Sequence, residues 1–225
     1  MQGVEMAQEP MDKKFNQKLD MLIESRRTIR SFTDEVPPKE SIEQIVKAGL
    51  LAPYAPPAVA GERLFRRFFV IEGGSSAMGK ISEMAVAAMR TSLEGMKKRC
   101  EADPAAAEKA AGFIKRLEMI AEAGQVPMKG APYYIVIAEK KGIPPVEMES
   151  LAHCIQNMYL KATALGLGLR LVSMTAAMGA MPEFCELLGI PFGEFGFNGC
   201  TVGYATEWPP APEKPGLDEV ITWLE

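Results

Sequence analysis

Histidine is nearly missing from this 225-residue chain, with His153 its only representative. One imidazole leaves no histidine-rich metal set. Placed between Leu151 and Ile155 in a helical pattern, it reads as a packed or surface helix residue rather than as the base of a Ser-His-Asp triad. Cysteine is also sparse and scattered: Cys100, Cys154, Cys185 and Cys200 contain no C-x-x-C pair, so neither a zinc site nor a thioredoxin-like couple is expected. They read as reduced, mostly buried thiols of a cytoplasmic protein.

A basic excess is missing too. The 25 Lys and Arg are outnumbered by 29 Asp and Glu, giving a net charge of −4, which argues against a broad nucleic-acid footprint. No apolar run approaches the roughly 18 residues of a membrane span. The polar start, Met1 to Lys18, lacks a signal-peptide core and reads as a mobile tail. There is no G-x-x-x-x-G-K-[ST], and "GLGLRL" lacks the third glycine of a dinucleotide fingerprint and precedes a strand. The pairs Glu147/Glu149 and Asp218/Glu219 read as helix N-terminal charges rather than as acid–base partners.

What is present is an ordinary globular balance, 48% apolar and 24% charged residues. Leu19 to Ile23 closes a first helix. "TDEVPPKESIEQIVKAGLLAP" gives a turn and a second helix with Ile42, Ile45, Val46 and Leu50 on one face, stopped at Pro53. "YAPPAVAGERL" is a loop, and Arg66 to Ile71 a strand. Ser75 to Lys129 is a long helical excursion. Asp103-Pro104 starts its second helix, whose stripe is Phe113, Ile114, Leu117 and Ile120. This excursion reads either as a lid or as a helical pair packing on the core.

Tyr133 to Ala138 is an apolar strand buried on both faces. A central helix follows to about Ala164, with Met148, Leu151, Ile155, Met158, Tyr159 and Ala162 inward. Gly166 caps it, and "GLGLRLVSM" turns into a strand. Pro182 to Leu188 is a short helix, "CTVGYA" a last strand, and "PPAPEKPG" leads to a final apolar piece. The order lacks βαβ alternation and favours an α+β sandwich around a small mixed sheet.

One motif stands against the charge of the whole. "ESRRTIRSF" sets Arg26, Arg27 and Arg30 within five positions, with the hydroxyl of Thr28 between them. Guanidinium groups suit phosphate because charge-assisted, forked hydrogen bonds match its oxygens. A basic helix end complementing its macrodipole explains the cluster equally well.

The order of segments adds to this. The arginine stretch, the proline turn, "GAPYYIVIA", "IQNMYLKATALGLGLRLVSM", "ELLGIPFG" and "TVGYATEWPPAPEKPGLDEVI" resemble, in colinear order from Leu19 to Ile221, the nitroreductase-like flavoprotein family. The resemblance implies a single nitroreductase-like domain over residues 19–225. Its sheet would be mixed but mostly antiparallel and flanked by helices, in an intertwined homodimer with a C-terminal arm from about residue 207.

It also implies FMN, bound by Arg26, Arg27, Thr28 and Arg30 at the phosphate and ring edge. Pro53, Tyr54 and Ala55 would lie beside the flavin, Val172, Ser173, Met174 and Thr175 near its N5, and Lys214 at the phosphate. No metal and no catalytic side chain are implied, because the flavin carries the chemistry. The activity implied is ping-pong hydride transfer from NAD(P)H to a small acceptor of nitroaromatic or quinone type. The partners would be a second copy and small molecules, not nucleic acid or membrane. The loop "APYAPPAVAGERLFRRFFVI" departs from the family's "APSAGNRQPWRFVVV", with Tyr54 for serine and no Q-P-W triplet. That departure keeps open a specialised relative, flavin-fragmenting or reductively dehalogenating, and a non-catalytic flavin-binding or sensor protein.

Overall fold

A computed structural model of the chain describes residues 12–124 and 126–224. Helix α1, Lys13–Ser25, begins where Asp12 accepts a hydrogen bond from the Phe15 amide at 2.7 Å. This corrects the boundary of the tail expected over residues 1–18. Residues 13–18 belong to α1, while residues 1–11 lie outside the described part. The helix buries none of its residues and leaves Phe15, Leu19, Met21 and Ile23 exposed.

Helix α2, Lys39–Leu50, buries Ile42, Ile45 and Gly49, but Leu50 faces outward. Strand β1, Arg66–Glu72, precedes α3, Ser76–Ala102, and α4, Pro104–Ala123. Asp103 caps α4 through its carboxylate, which accepts from the amides of Ala105 and Ala106. The stripe of α4 is narrower than the periodicity implies. Ile114, Leu117 and Ile120 pack on the core, whereas Phe113 is exposed because α4 meets the body mainly through α3.

Strand β2, Tyr133–Lys140, is buried on both faces as far as Glu139. Helix α5, Glu147–Ala164, buries Leu151, Ile155, Met158, Tyr159 and Ala162. Met148 is exposed. The helix ends in a Schellman motif. Leu167 donates its amide to Ala162 O at 2.8 Å and Gly166 donates to Thr163 O at 3.0 Å, with Gly166 at φ 72°.

Strand β3, Gly168–Leu171, helix α6, Met174–Met178, helix α7, Pro182–Leu188, and strand β4, Phe195–Gly203, complete the body. Strand β4 starts five residues before the "CTVGYA" run, through the alternating Phe195 and Phe197.

The sheet order is β1-β2-β4-β3, and all three strand pairs are antiparallel. The parallel element is a single bridge, Thr28 with Leu169, on the outer side of β3. On one face Tyr134, Val136, Phe197 and Met89 pack with α3, α6 and α7; on the other, Ile135, Ile137 and Cys200 pack with α2 and α5. The helices therefore sandwich the sheet, an α+β architecture. From Thr206 to Leu224 every residue but Pro209 is exposed, including Trp208, Leu217 and Trp223. A short helix α8, Leu217–Val220, lies within this arm. Among the described residues no helix is long and apolar enough to cross a membrane.

Candidate functional site

After α1 the chain runs extended along the outer edge of β3. Ile29 donates its amide to Leu169 O at 3.1 Å, and Thr28 forms the bridge with Leu169. The approach is close because residue 168 is glycine: a Cβ there would lie 2.6 Å from Ile29. Extended backbone alternates its side chains, so Arg26, Thr28 and Arg30 share one side while Arg27 and the buried Ile29 share the other. Arg26 is half-buried with its guanidinium 5.1 Å from the Tyr159 ring. Arg30 is exposed, and among the described residues neither Arg26 nor Arg30 has a carboxylate partner.

Arg27 is used differently. Its Nε donates to Pro209 O at 3.1 Å, and its Nη1 donates to Glu24 O at 2.5 Å and Arg26 O at 2.9 Å. This fastens the start of the C-terminal arm beside the arginine stretch. The same seam continues through the Phe32–Ala205 bridge, Thr33 N to Tyr204 O at 2.9 Å and Thr206 N to Ser31 O at 3.2 Å. The two ends of the chain thus meet here, although Lys214 lies further out on the exposed arm and makes no hydrogen bond or ion pair among the described residues.

The stretch 172–175 follows directly from β3. Val172 and Thr175 are buried, whereas Ser173 is exposed and Met174 half-buried. Val172 donates its amide to Gly199 O at 2.8 Å and Thr175 donates to Val172 O at 3.1 Å. The Thr175 hydroxyl donates to Val172 O at 2.6 Å and therefore accepts from the Tyr134 hydroxyl, also at 2.6 Å. Burial raises the Tyr134 pKa well above the ordinary phenol value, which keeps that donor protonated. This buried chain of hydroxyls locks the turn, and only Ser173 and Met174 face outward from it.

Pro53, Tyr54 and Ala55 lie elsewhere. Tyr54 stacks on Phe65 with ring centroids 4.0 Å apart, and Pro53 O accepts from the Ser150 hydroxyl at 3.4 Å. Ser150 is near the start of α5 and Tyr159 near its end, about 14 Å apart along the helix axis. Within one chain, then, the loop and the arginine row sit at opposite ends of α5. The loop end has its own buried centre. Arg66 donates from Nε to Glu139 Oε2 at 2.7 Å, from Nη1 to Gly49 O at 2.9 Å and Ala52 O at 3.2 Å, and from Nη2 to Ser150 Oγ at 2.7 Å. Sequence reasoning missed this centre; an arginine opening an apolar strand is the signal that was available.

One cleft has a volume of about 970 Å³. Thr33, Asp34, Ser75, Arg90 and Lys129 are among its lining residues, and none of the sequence-predicted site residues belongs to it. A smaller one of about 350 Å³ is lined by Ser25, Arg27, Thr163, Trp208 and Pro209. Among the described residues two buried hydroxyl oxygens, those of Thr33 and Thr201, have no hydrogen-bond partner. Among the described residues no cluster of His, Cys, Asp and Glu could hold a metal.

A family model described as "Nitroreductase family" matches residues 23–204. Among curated proteins no relative matches the sequence. Solved structures share the fold. A BluB-like flavoprotein from Clostridium difficile 630 is 20% identical with a TM-score of 0.68, covering 96% of this chain and 100% of that one. A nitroreductase with bound FMN from Desulfitobacterium hafniense DCB-2 is 23% identical, TM-score 0.62, covering 96% and 100%. The FMN and NADPH-dependent nitroreductase NfnB from Sphigopyxis sp. strain HMH is 20% identical, TM-score 0.63, covering 92% and 98%.

Proposed function

The chain belongs to the nitroreductase family, and we propose that it works as a homodimeric FMN-dependent oxidoreductase, taking hydride from NAD(P)H and passing it to a small organic acceptor in ping-pong order. The observation that carries the reading is the row Arg26, Thr28 and Arg30. It presents two guanidiniums without carboxylate partners and a hydroxyl on one side of an extended segment, beside a locked turn that exposes Ser173 and Met174. Such a row fits a phosphate.

FMN, when bound, supplies the hydride-accepting and hydride-donating centre that no side chain of this protein provides. The protein's part is binding and exclusion. Arg26, Thr28 and Arg30 hold the phosphate, with Lys214 of the arm as a further cation. Ser173 and Met174 present backbone to the ring, on a turn that Tyr134 and Thr175 hold still. Arg27 contributes by anchoring the arm at Pro209 rather than by reaching the ligand.

The separation along α5 supports the dimer. Pro53 to Ala55 of one chain cannot close over the arginine row of the same chain, but can do so over that of a second copy. The unburied apolar residues of α1 and of the arm, Phe15, Leu19, Trp208 and Trp223 among them, are the surface such a copy would cover. The helices α3 and α4 are placed to wall the acceptor side.

A second reading is favoured by the loop. Tyr54 rests its ring on Phe65 and the loop brings no amide side chain to a ligand, so a specialised relative with a different flavin chemistry, or a flavin-binding protein without turnover, keeps a claim. An anaerobic spectral titration decides. The purified protein is expected to be yellow, and its flavin band to bleach with NADH or NADPH and return with a quinone. A colourless protein that takes up no FMN would sink the flavoenzyme reading, and a yellow one that never bleaches would favour the second.

A further inference from the structure

The loop over residues 52–57 keeps few polar groups for a ligand. Pro53, Pro56 and Pro57 carry no N–H. The carbonyls are already used. Ala52 O accepts from Arg66 Nη1 at 3.2 Å, Pro53 O from Ser150 Oγ at 3.4 Å and Ala55 O from the Ala58 amide at 3.0 Å. Pro56 O and Pro57 O accept from the amides of Gly61 and Ala60, each at 3.2 Å. What this loop leaves in the open is Tyr54, 42% exposed.

That ring is held in place from the core side. Phe65, which is buried, stacks on it with centroids 4.0 Å apart and planes 28° from parallel, and the Arg66 guanidinium lies 5.3 Å from the Phe65 ring. Arg66 is itself fixed by Glu139 and Ser150, and it grips the carbonyls of Gly49 and Ala52 on the chain leading into Tyr54. A cation, a buried ring and an exposed ring thus follow one another, with the backbone clamped on both sides of residue 53. An aromatic face held this way loses little freedom when a ligand stacks on it.

We propose that Tyr54 is a specificity-determining residue, an aromatic platform with Arg66 and Ser150 as its positioning residues, and that its ligand is a neutral planar aromatic acceptor of the naphthoquinone class. A flavin ring is the poorer match, because its polar edge needs hydrogen-bond partners that this loop has committed elsewhere. An anionic or aliphatic acceptor gains little from a ring face. The proposal rests on the flavoenzyme reading for turnover, but not for the binding of an aromatic ring.

The test compares the full-length protein with Y54L, Y54F, S150A and the double variant Y54L/S150A. Menadione and riboflavin binding are measured by equilibrium dialysis, size in solution by sedimentation and, with flavin bound, the ratio of kcat/KM for menadione to that for ferricyanide. Ser150 is the clamp to remove, because it leaves no charge buried alone. Y54L keeps apolar bulk without a ring face, and is expected to weaken menadione by about three- to tenfold, the worth of one aromatic contact, and to lower the ratio by a similar factor. Y54F keeps the ring and is expected to match the parent. S150A is expected to weaken menadione by roughly twofold. In the Y54L background it should add nothing, since the clamp acts through the ring, whereas a general structural effect would persist there. A parent that retains no menadione, or a Y54L protein with unaltered menadione affinity and ratio, overturns the platform. Riboflavin weakened in Y54L without menadione assigns the ring to the flavin, and a changed size in solution assigns it to a contact between copies; either overturns the proposal. A protein that binds no flavin but loses menadione affinity in Y54L upholds the platform and removes the flavoenzyme reading.

Discussion

At one end of α5 the Arg66 side chain makes four hydrogen bonds inside the protein, while at the other the side chains of Arg26 and Arg30 make none among the described residues. Arg66 has Glu139 directly across the β1–β2 ladder, and two carbonyls from the end of α2 complete the arrangement. Arg26 has only the face of Tyr159. The same side chain serves as structure where its donors are met by the protein, and as a binding group where they are left to something else. Arg27 stands between the two kinds, exposed enough to be a ligand yet committed to carbonyls.

The contrast breaks most visibly at Arg66. Arg66→Ala leaves the Glu139 carboxylate buried and alone, and a loss of roughly 3–5 kcal/mol of stability is expected in denaturant unfolding. A double Arg66→Met, Glu139→Leu variant, which removes both charges, is expected to recover most of that loss, because a buried pair is often no better than well-packed apolar residues. Arg30→Ala should do the reverse. Stability is expected to stay within about 0.5 kcal/mol, as for most exposed positions, while FMN binding weakens by about 1.5–3 kcal/mol. An Arg30→Ala protein with unaltered flavin occupancy would return the cluster to a helix-end charge.

A smaller effect sharpens the picture of the Arg66 end, where Cys154 lies on α5. Its pKa is pushed up to about 12 by burial, with Arg66 lowering it and Glu139 raising it further. The folded chain therefore keeps the thiol proton in a range where the unfolded chain has released it. Stability from this group is complete below about pH 9 and falls as pH rises towards 12, by at most roughly 1.4 kcal/mol per pH unit. Unfolding midpoints measured from pH 8 to 11 should decline, and Cys154→Ala should flatten part of that slope.

Periodicity carried most of the fold. The apolar spacing of α2 and α5, the unbroken run of β2 and the Asp103-Pro104 start of α4 were all legible, because each is a local signal. Phe113 and Met148 were misjudged as inward because a helical stripe says which residues share a face and not where the neighbouring element ends. The start of α1 was hidden by its polarity, since a helix that buries nothing leaves no pattern against the core. Within the candidate site the cluster of Arg26, Arg27 and Arg30 was legible from charge, whereas the one-sided row of Arg26, Thr28 and Arg30 depends on the extended backbone after α1. The fastening of Arg27 to Pro209 was not, because a carbonyl acceptor leaves no trace in the sequence. Arg66 depends on a cross-strand neighbour 73 residues away, Glu139, which only the register reveals.

The length of α5 has a stoichiometric consequence. If one end of the helix holds the phosphate and the other end of a second copy closes the ring, a single chain is never one site but half of two. Dilution then acts as an inhibitor without any competing ligand. A dimer assembled from one chain damaged at Arg30 and one damaged at the 53–55 loop would carry one site with both halves intact and one with both halves broken.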